Sequence, residues 1–144
     1  MKKLKHFSGQ SLIEFVLIFP IAFFLITGFL DLGRAVFYYS SLTNAVREGT
    51  RYAIVNKTAI TDAQNNPTDN IIQDKVLEYA FGLANVPNPL LKENIVVIIS
   101  NPTISIEATY TFQPVTPGIS LIFGNSTGID LVAQSTMRIA GASR

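Results

Sequence analysis

From Leu12 to Leu30 nearly every position is apolar. Wound as a helix, that run is about 28 Å long, close to the ~30 Å hydrocarbon thickness of a bilayer. The pattern predicts a membrane-spanning helix over residues 10–32. Two positions depart from it. Glu14 lies just inside the front edge, where an ionised side chain costs several kcal/mol (roughly) unless it finds a partner or reaches the interface. Pro20 removes a backbone donor from the run, so a local kink is expected there.

Past Leu32 the pattern changes from uniformly apolar to one-sided. Tyr38, Leu42, Ala45, Gly49 and Tyr52 recur at intervals of three and four, the spacing of an amphipathic helix face. The spacing predicts that the same helix continues over residues 33–55. Asp31 and Arg34, three apart, can pair on one face where the segment leaves the bilayer. Arg47, Glu48 and Arg51 cluster around Gly49. A glycine inside a helix costs up to about 1 kcal/mol relative to alanine, so close packing of another element is expected at Gly49, and the four residues are assigned to docking of the exported part.

Residues 56–144 read as a small α+β domain. Asn56 to Asp69 is polar around Asn65-Asn66-Pro67 and reads as an exposed loop. Asn70, with Gln73 three residues on, caps a second helix. Ile72, Val76, Tyr79, Ala80 and Leu83 form its apolar face, and Asn85 to Pro89 ends it. Ile95 to Ile99 is a β-branched run suited to a buried strand. Ile104, Ile106, Ala108, Tyr110 and Phe112 alternate with polar residues, as do Ile129, Leu131, Ala133, Ser135, Met137 and Ile139, the period of half-buried strands. An antiparallel sheet of about three strands packed on one or both helices is the expected architecture. Between the last two strands, Gln113 to Gly128 is long for a hairpin connection and carries an apolar centre at Leu121, Ile122 and Phe123. That centre either closes the core or meets another subunit or the membrane surface.

Composition narrows the chemistry. Hydrophobic residues make up 48% of the chain, the first thirty-odd positions supplying much of the excess, and the net charge of +1 is spread without a basic patch. Nucleic acid is not an expected partner. Cysteine is absent and His6 is the single histidine, which excludes disulfides, thiolate chemistry and multi-histidine metal sites. Asp62, Asp69 and Asp74 lack the compact spacing of a calcium loop, so no metal or other cofactor is expected. Carboxylates such as Asp62, Glu78 and Glu107 form no convergent catalytic set, and the chain is not expected to be an enzyme. The sequons at Asn56 and Asn125 are short enough to arise by chance.

The leader sharpens the reading. Lys2, Lys3, Lys5 and His6 precede the apolar run and place the amino terminus in the cytoplasm. The run is longer than the hydrophobic part of a secretory signal, and no small-residue cleavage site follows it. Gly9, four residues, then Glu14-Phe15 at the mouth of a membrane helix resembles the processing site of type IV prepilins and pseudopilins. The resemblance implies cleavage between Gly9 and Gln10 by a prepilin peptidase, with residues 1–9 as the removed leader and Glu14 fifth in the mature chain. Gln10 stands where mature type IVa pilins commonly have phenylalanine. The new ammonium at Gln10 would be mostly charged near neutral pH. In apolar surroundings it and the Glu14 carboxylate of a neighbouring subunit each lower the cost of burying the other. A Glu14 that reaches the cytoplasmic interface along its own stem is the plainer alternative.

Taken with Thr27-Gly28-Phe29-Leu30-Asp31-Leu32-Gly33-Arg34-Ala35 and Leu42-Thr43-Asn44-Ala45-Val46-Arg47-Glu48-Gly49-Thr50-Arg51-Tyr52-Ala53, these motifs resemble the TadE/TadG group of minor pseudopilins of the Tad, or type IVc, pilus. The resemblance covers roughly the first 55 residues. It implies a single-pass protein of the inner membrane with an exported C-terminal domain. Its implied partners are the prepilin peptidase, other pilins or pseudopilins, the inner-membrane assembly platform and membrane lipid, in a homo- or hetero-oligomeric filament. A major filament subunit and an unprocessed signal-anchored envelope binding domain are the competing expectations.

Overall fold

The computed structural model describes residues 9–84, 86, 88–116 and 128–139, with the backbone alone at Gln10. The leader residues 1–8, the apolar centre at Leu121, Ile122 and Phe123, and the sequon at Asn125 lie outside them. The fold is α+β: a long amino-terminal helix, two further helices and a three-stranded antiparallel sheet.

Helix α1 is Gln10–Val55, 46 residues, and runs through Pro20 without a break. At the helical rise it is about 69 Å long. Its first half, from Leu12 through Leu32, leaves its large apolar side chains exposed. Its second half turns Leu42, Ala45, Val46 and Ala53 fully into the core. The register of the apolar positions produces that change. Side chains all round the helix are apolar in the first half, whereas one stripe is apolar in the second.

Residues 57–65 are helical, which corrects the loop expected over Asn56 to Asp69. Helix α2, Lys57–Asn65, is held at its start by Asn56, whose side chain accepts from the N–H groups of Thr58 and Ala59. The buried face is Ala59 and Ala63, four apart. Small side chains let this helix lie close to its neighbours, and the polarity of the other positions is the solvated face.

Helix α3, Ile71–Tyr79, begins with a full capping box: Asn70 Oδ1 accepts from Gln73 N at 3.0 Å and Gln73 Oε1 accepts from Asn70 N at 3.1 Å. Ile72 and Val76 face the core, whereas Tyr79 is 46% exposed, a departure from the expected apolar face. The helix stops at Tyr79, several residues before Asn85. Tight turns follow, with Phe81 N donating to Tyr79 O and Leu83 N to Ala80 O, and Gly82 takes φ +80°. That left-handed backbone is open to glycine at low cost. The turns still carry Ala80 and Leu83 into the core.

The sheet has the order β1-β2-β3, with β1 Ile95–Ser100, β2 Thr103–Phe112 and β3 Ile129–Arg138. Ile95 pairs with Ala108 and Ser100 with Thr103, while Thr103 pairs with Arg138 and Phe112 with Ile129. Along β2, Ile104, Ile106, Ala108, Tyr110 and Phe112 are buried. Along β3 the residues Ile129, Leu131, Ala133, Ser135 and Met137 share the covered face. Helix α1 packs across β2 and β3, and α3 packs on α1 beside β1. Strand β1 differs from the expected buried strand. It is an edge strand whose Val96 and Ile98 are about half exposed.

Candidate functional site

Three regions of α1 carry the residues that the sequence singles out, the first two about 25 Å apart along the axis and the third around Gly49. The first is the helix mouth. Gly9 is the N-cap residue, and its carbonyl accepts from Ile13 N at 3.1 Å. One turn on, Glu14 is exposed among Leu12, Ile13, Phe15 and Val16, each more than 60% exposed. Phe15, Phe19 and Phe23 form a ladder along one face, with ring centroids 5.5 and 6.1 Å apart. The mouth therefore places one carboxylate on an otherwise apolar cylinder. Such a surface suits lipid, or the apolar surface of other helices, far better than water.

The second region is the end of the apolar run. Arg34 Nη1 donates to Asp31 Oδ1 at 2.9 Å. Asp31 is nonetheless 4% exposed, because its other oxygen is occupied by a distant segment. Thr116 N and Thr116 Oγ1 both donate to Asp31 Oδ2 at 2.7 Å. The Arg34 guanidinium lies 5.3 Å from the Phe112 ring centre and 5.9 Å from that of Tyr38. Tyr38 in turn packs edge-on to Tyr110 at 5.5 Å. Asp31, Arg34, Tyr38, Phe112 and Thr116 thus form one junction, where cation–π contacts and charge-assisted hydrogen bonds tie the helix to the sheet. The sequence points to the Asp31–Arg34 pair but carries no signal for Thr116.

The four residues around Gly49 are placed on different sides. A Cβ at Gly49 would stand 2.3 Å from Val76 Cγ2 and 3.7 Å from Ile106 Cδ1, so α1, α3 and β2 meet at its bare Cα. Arg47 is exposed, and Glu48 pairs loosely with Arg51 at 3.8 Å on the outer surface. A pair of that kind contributes tenths of a kcal/mol, roughly. Glu48 and Arg51 also border a cleft of about 670 Å³ with Tyr52, Lys57, Lys75 and Tyr79. Lys75 Nζ is held there by Glu78 Oε2 at 2.6 Å and lies over the rings of Tyr52 and Tyr79. The bond from Glu78 keeps the Lys75 ammonium above the usual lysine range.

Asp62, Asp69 and Asp74 are spent on local structure. Asp62 Oδ2 accepts from Ile71 N at 2.9 Å, at the start of α3. Asp69 and Asp74 both close on Lys92, the latter at 2.6 Å. Gln73 is a buried residue the sequence marks only as a cap. Its amide nitrogen also donates to Ile95 O at 2.8 Å and Lys92 O at 3.2 Å, joining α3 to the edge strand. Among the described residues, no group of three or more histidine, cysteine or carboxylate side chains gathers to hold a metal ion.

A protein-family model, TadE, described as TadE-like protein, matches residues 9–51. The matched segment begins at the Gly9 cap and takes in the helix mouth, the Asp31–Arg34 junction and Gly49. Neither the curated proteins nor the solved structures give a match.

Proposed function

We propose, from the premise that residues 9–51 form a TadE-like segment, that this chain is a minor, pilin-like subunit that assembles into or primes a Tad, type IVc, pilus. At the coarser level, the TadE-like segment supports involvement in a Tad pilus system and interaction with other pilus components. The exposed apolar half of α1 is compatible with a single-pass membrane protein.

The observation that carries the finer reading is the position of Glu14, five residues past Gly9, on the exposed apolar cylinder at the start of α1. Prepilin peptidase cleaves after Gly9 in this reading, and Gln10 acquires the ammonium. Axially offset helices then bring the ammonium of one subunit to the Glu14 carboxylate of another inside an apolar bundle. Opposite charges attract far more strongly there than in water, and a pair satisfies what neither charge could bear alone. The exported domain stays on the far side of the membrane and makes the lateral or cap contacts. The role is one of assembly rather than catalysis.

The test is the mass of the amino-terminal peptide from native membranes, with and without the prepilin peptidase. A chain that begins at Gln10, and at Met1 when the peptidase is deleted, is the expected result. Met1 in both strains would overturn processing and favour a signal-anchored envelope domain. A start beyond Leu32 would mean ordinary secretion.

A further inference from the structure

The junction at Asp31 fixes how far the exported domain stands from the lipid. Asp31 directly precedes Leu32, the last residue of the predicted membrane segment, and Thr116 is bonded to its carboxylate twice at 2.7 Å. Val115, next in the chain, is therefore at the depth where α1 leaves the hydrocarbon, and it is 75% exposed. A second point lies slightly further out. Ser41 Oγ donates to Phe81 O at 2.5 Å, and a Cβ at Gly82 would lie 3.0 Å from Phe37 Cε1. The Phe81 turn is thus held at the level of Phe37 to Ser41, about 7–13 Å beyond Leu32 along the helix. Phe81 is 78% exposed and Phe37 49%.

Headgroup layers extend about 5–8 Å beyond the hydrocarbon on each side, and aromatic side chains are enriched at that level. Helical side chains also lean toward the amino terminus, so the Phe37 ring leans back toward the membrane. We infer that the exported domain is seated on the outer surface of the membrane, with Val115 at the edge of the hydrocarbon, the Phe37 ring among the lipid headgroups and Phe81 at their outer limit. The occupant of this apolar surface is lipid. The argument is one of depth: Thr116 and Ser41 fix both exposed side chains to positions on α1 whose distance from the end of the apolar run is set by the helical rise. This inference rests on the reading of α1 as membrane-spanning. A domain seated in this way would have to lift from the lipid as its helix leaves the bilayer for a filament.

The chain contains no tryptophan, so single substitutions report without background. The full chain, one copy per lipid nanodisc, would carry Phe24→Trp within the apolar run, Val115→Trp, Phe81→Trp, or Gln64→Trp on α2 far beyond the junction. Lipids brominated near the carbonyls or deep in the acyl chain then quench by depth. Val115→Trp is expected to lose emission mainly to the shallow bromines, Phe81→Trp to the same bromines but more weakly, Phe24→Trp mainly to the deep ones, and Gln64→Trp to neither. If Phe24→Trp is quenched while Val115→Trp and Phe81→Trp behave like Gln64→Trp, the domain stands clear and the inference is wrong. Blue-shifted emission at both sites without bromine quenching would mean that protein, a second copy or another segment, covers them, and would also overturn it. Absence of quenching at Phe24→Trp would instead remove the membrane-spanning reading itself.

Discussion

Thr116 donates its backbone N–H and its hydroxyl to one carboxylate oxygen of Asp31, each at 2.7 Å, across 85 positions of sequence. Arg34 takes the other oxygen. A carboxylate at the end of the apolar run of α1 is thereby turned into the point where the helix holds the segment that follows β2. The burial of Asp31 against three charge-assisted bonds is a case where removal of one donor costs more than the small net worth of an ordinary hydrogen bond, because the charge remains buried.

Thr116→Val keeps the shape and the backbone N–H but removes the hydroxyl bond. The expected loss is about 1.5–3 kcal/mol, the range for hydrogen bonds to charged groups. Urea unfolding of the detergent-solubilised chain, followed by near-ultraviolet circular dichroism, would read it. An unchanged midpoint would show that the hydroxyl contributes nothing at this junction.

Gly49 gives a prediction whose sign depends on its neighbour. Alanine is the better helix former by about 1 kcal/mol, yet its Cβ would stand 2.3 Å from Val76 Cγ2. Overpacking of a core costs about 1–3 kcal/mol, so Gly49→Ala destabilises the wild-type chain. In a Val76→Ala background the clash is gone, and the same Gly49→Ala change should stabilise. A double-mutant cycle on thermal midpoints decides it; destabilisation of similar size in both backgrounds would refute the packing account.

How far these features could be read beforehand differs from element to element. The end of α1 at Val55 and the inward faces of β2 and β3 were legible because period three-to-four and period two are printed directly in Leu42, Ala45, Ile104, Ile106 and Ala108. Helix α2 was not, because its buried face is two alanines, which carry little hydrophobic contrast against a polar stretch. The local sign was Asn56, a capping residue two positions before Thr58. The run Ile95 to Ile99 is apolar on both faces, so sequence could not distinguish an interior strand from the exposed edge that β1 forms. At the candidate site, the i, i+3 spacing exposes the Asp31–Arg34 pair, whereas Thr116 and the onward bonds of Gln73 depend on tertiary placement that no local spacing records.

Gln73 is 1% exposed and closes a small circuit, accepting from Asn70 N and donating to Ile95 O and Lys92 O. Gln73→Leu fills similar space but leaves these buried groups without that partner, at an expected cost of about 2–4 kcal/mol. Gln73→Glu keeps the acceptor for Asn70 and sets a carboxylate against two carbonyl oxygens. It should be at least as damaging at neutral pH and partly recover on acidification, when the carboxyl can donate again. Recovery absent from Gln73→Glu in a pH series of unfolding midpoints would contradict the assigned direction of the Gln73 amide.

Asp62 and Lys92 should set opposite limits of pH on the joint between α2, α3 and β1. The Ile71 N–H, first, and the Asn66 side chain hold the Asp62 carboxyl below its ordinary range. A lowered folded-state value means that Asp62 stabilises the fold above its unfolded value of about 3.9, and that this contribution fades as pH falls through the folded value. Bonds from Asp69, first, and Asp74 raise the Lys92 ammonium above its ordinary range. Its contribution is complete below about 10.4 and disappears as pH rises through the folded value. Asp62→Asn should therefore flatten the acid limb of a stability-against-pH curve while leaving the alkaline limb unchanged; Lys92→Met should flatten the alkaline limb and, because the Lys92 charge is a minor part of what holds the Asp62 carboxyl down, trim the acid limb only slightly. Urea midpoints measured from pH 2 to 12, with wild type as reference, separate the two limbs, and an alkaline limb flattened by Asp62→Asn would show one tightly coupled network rather than two largely separate links.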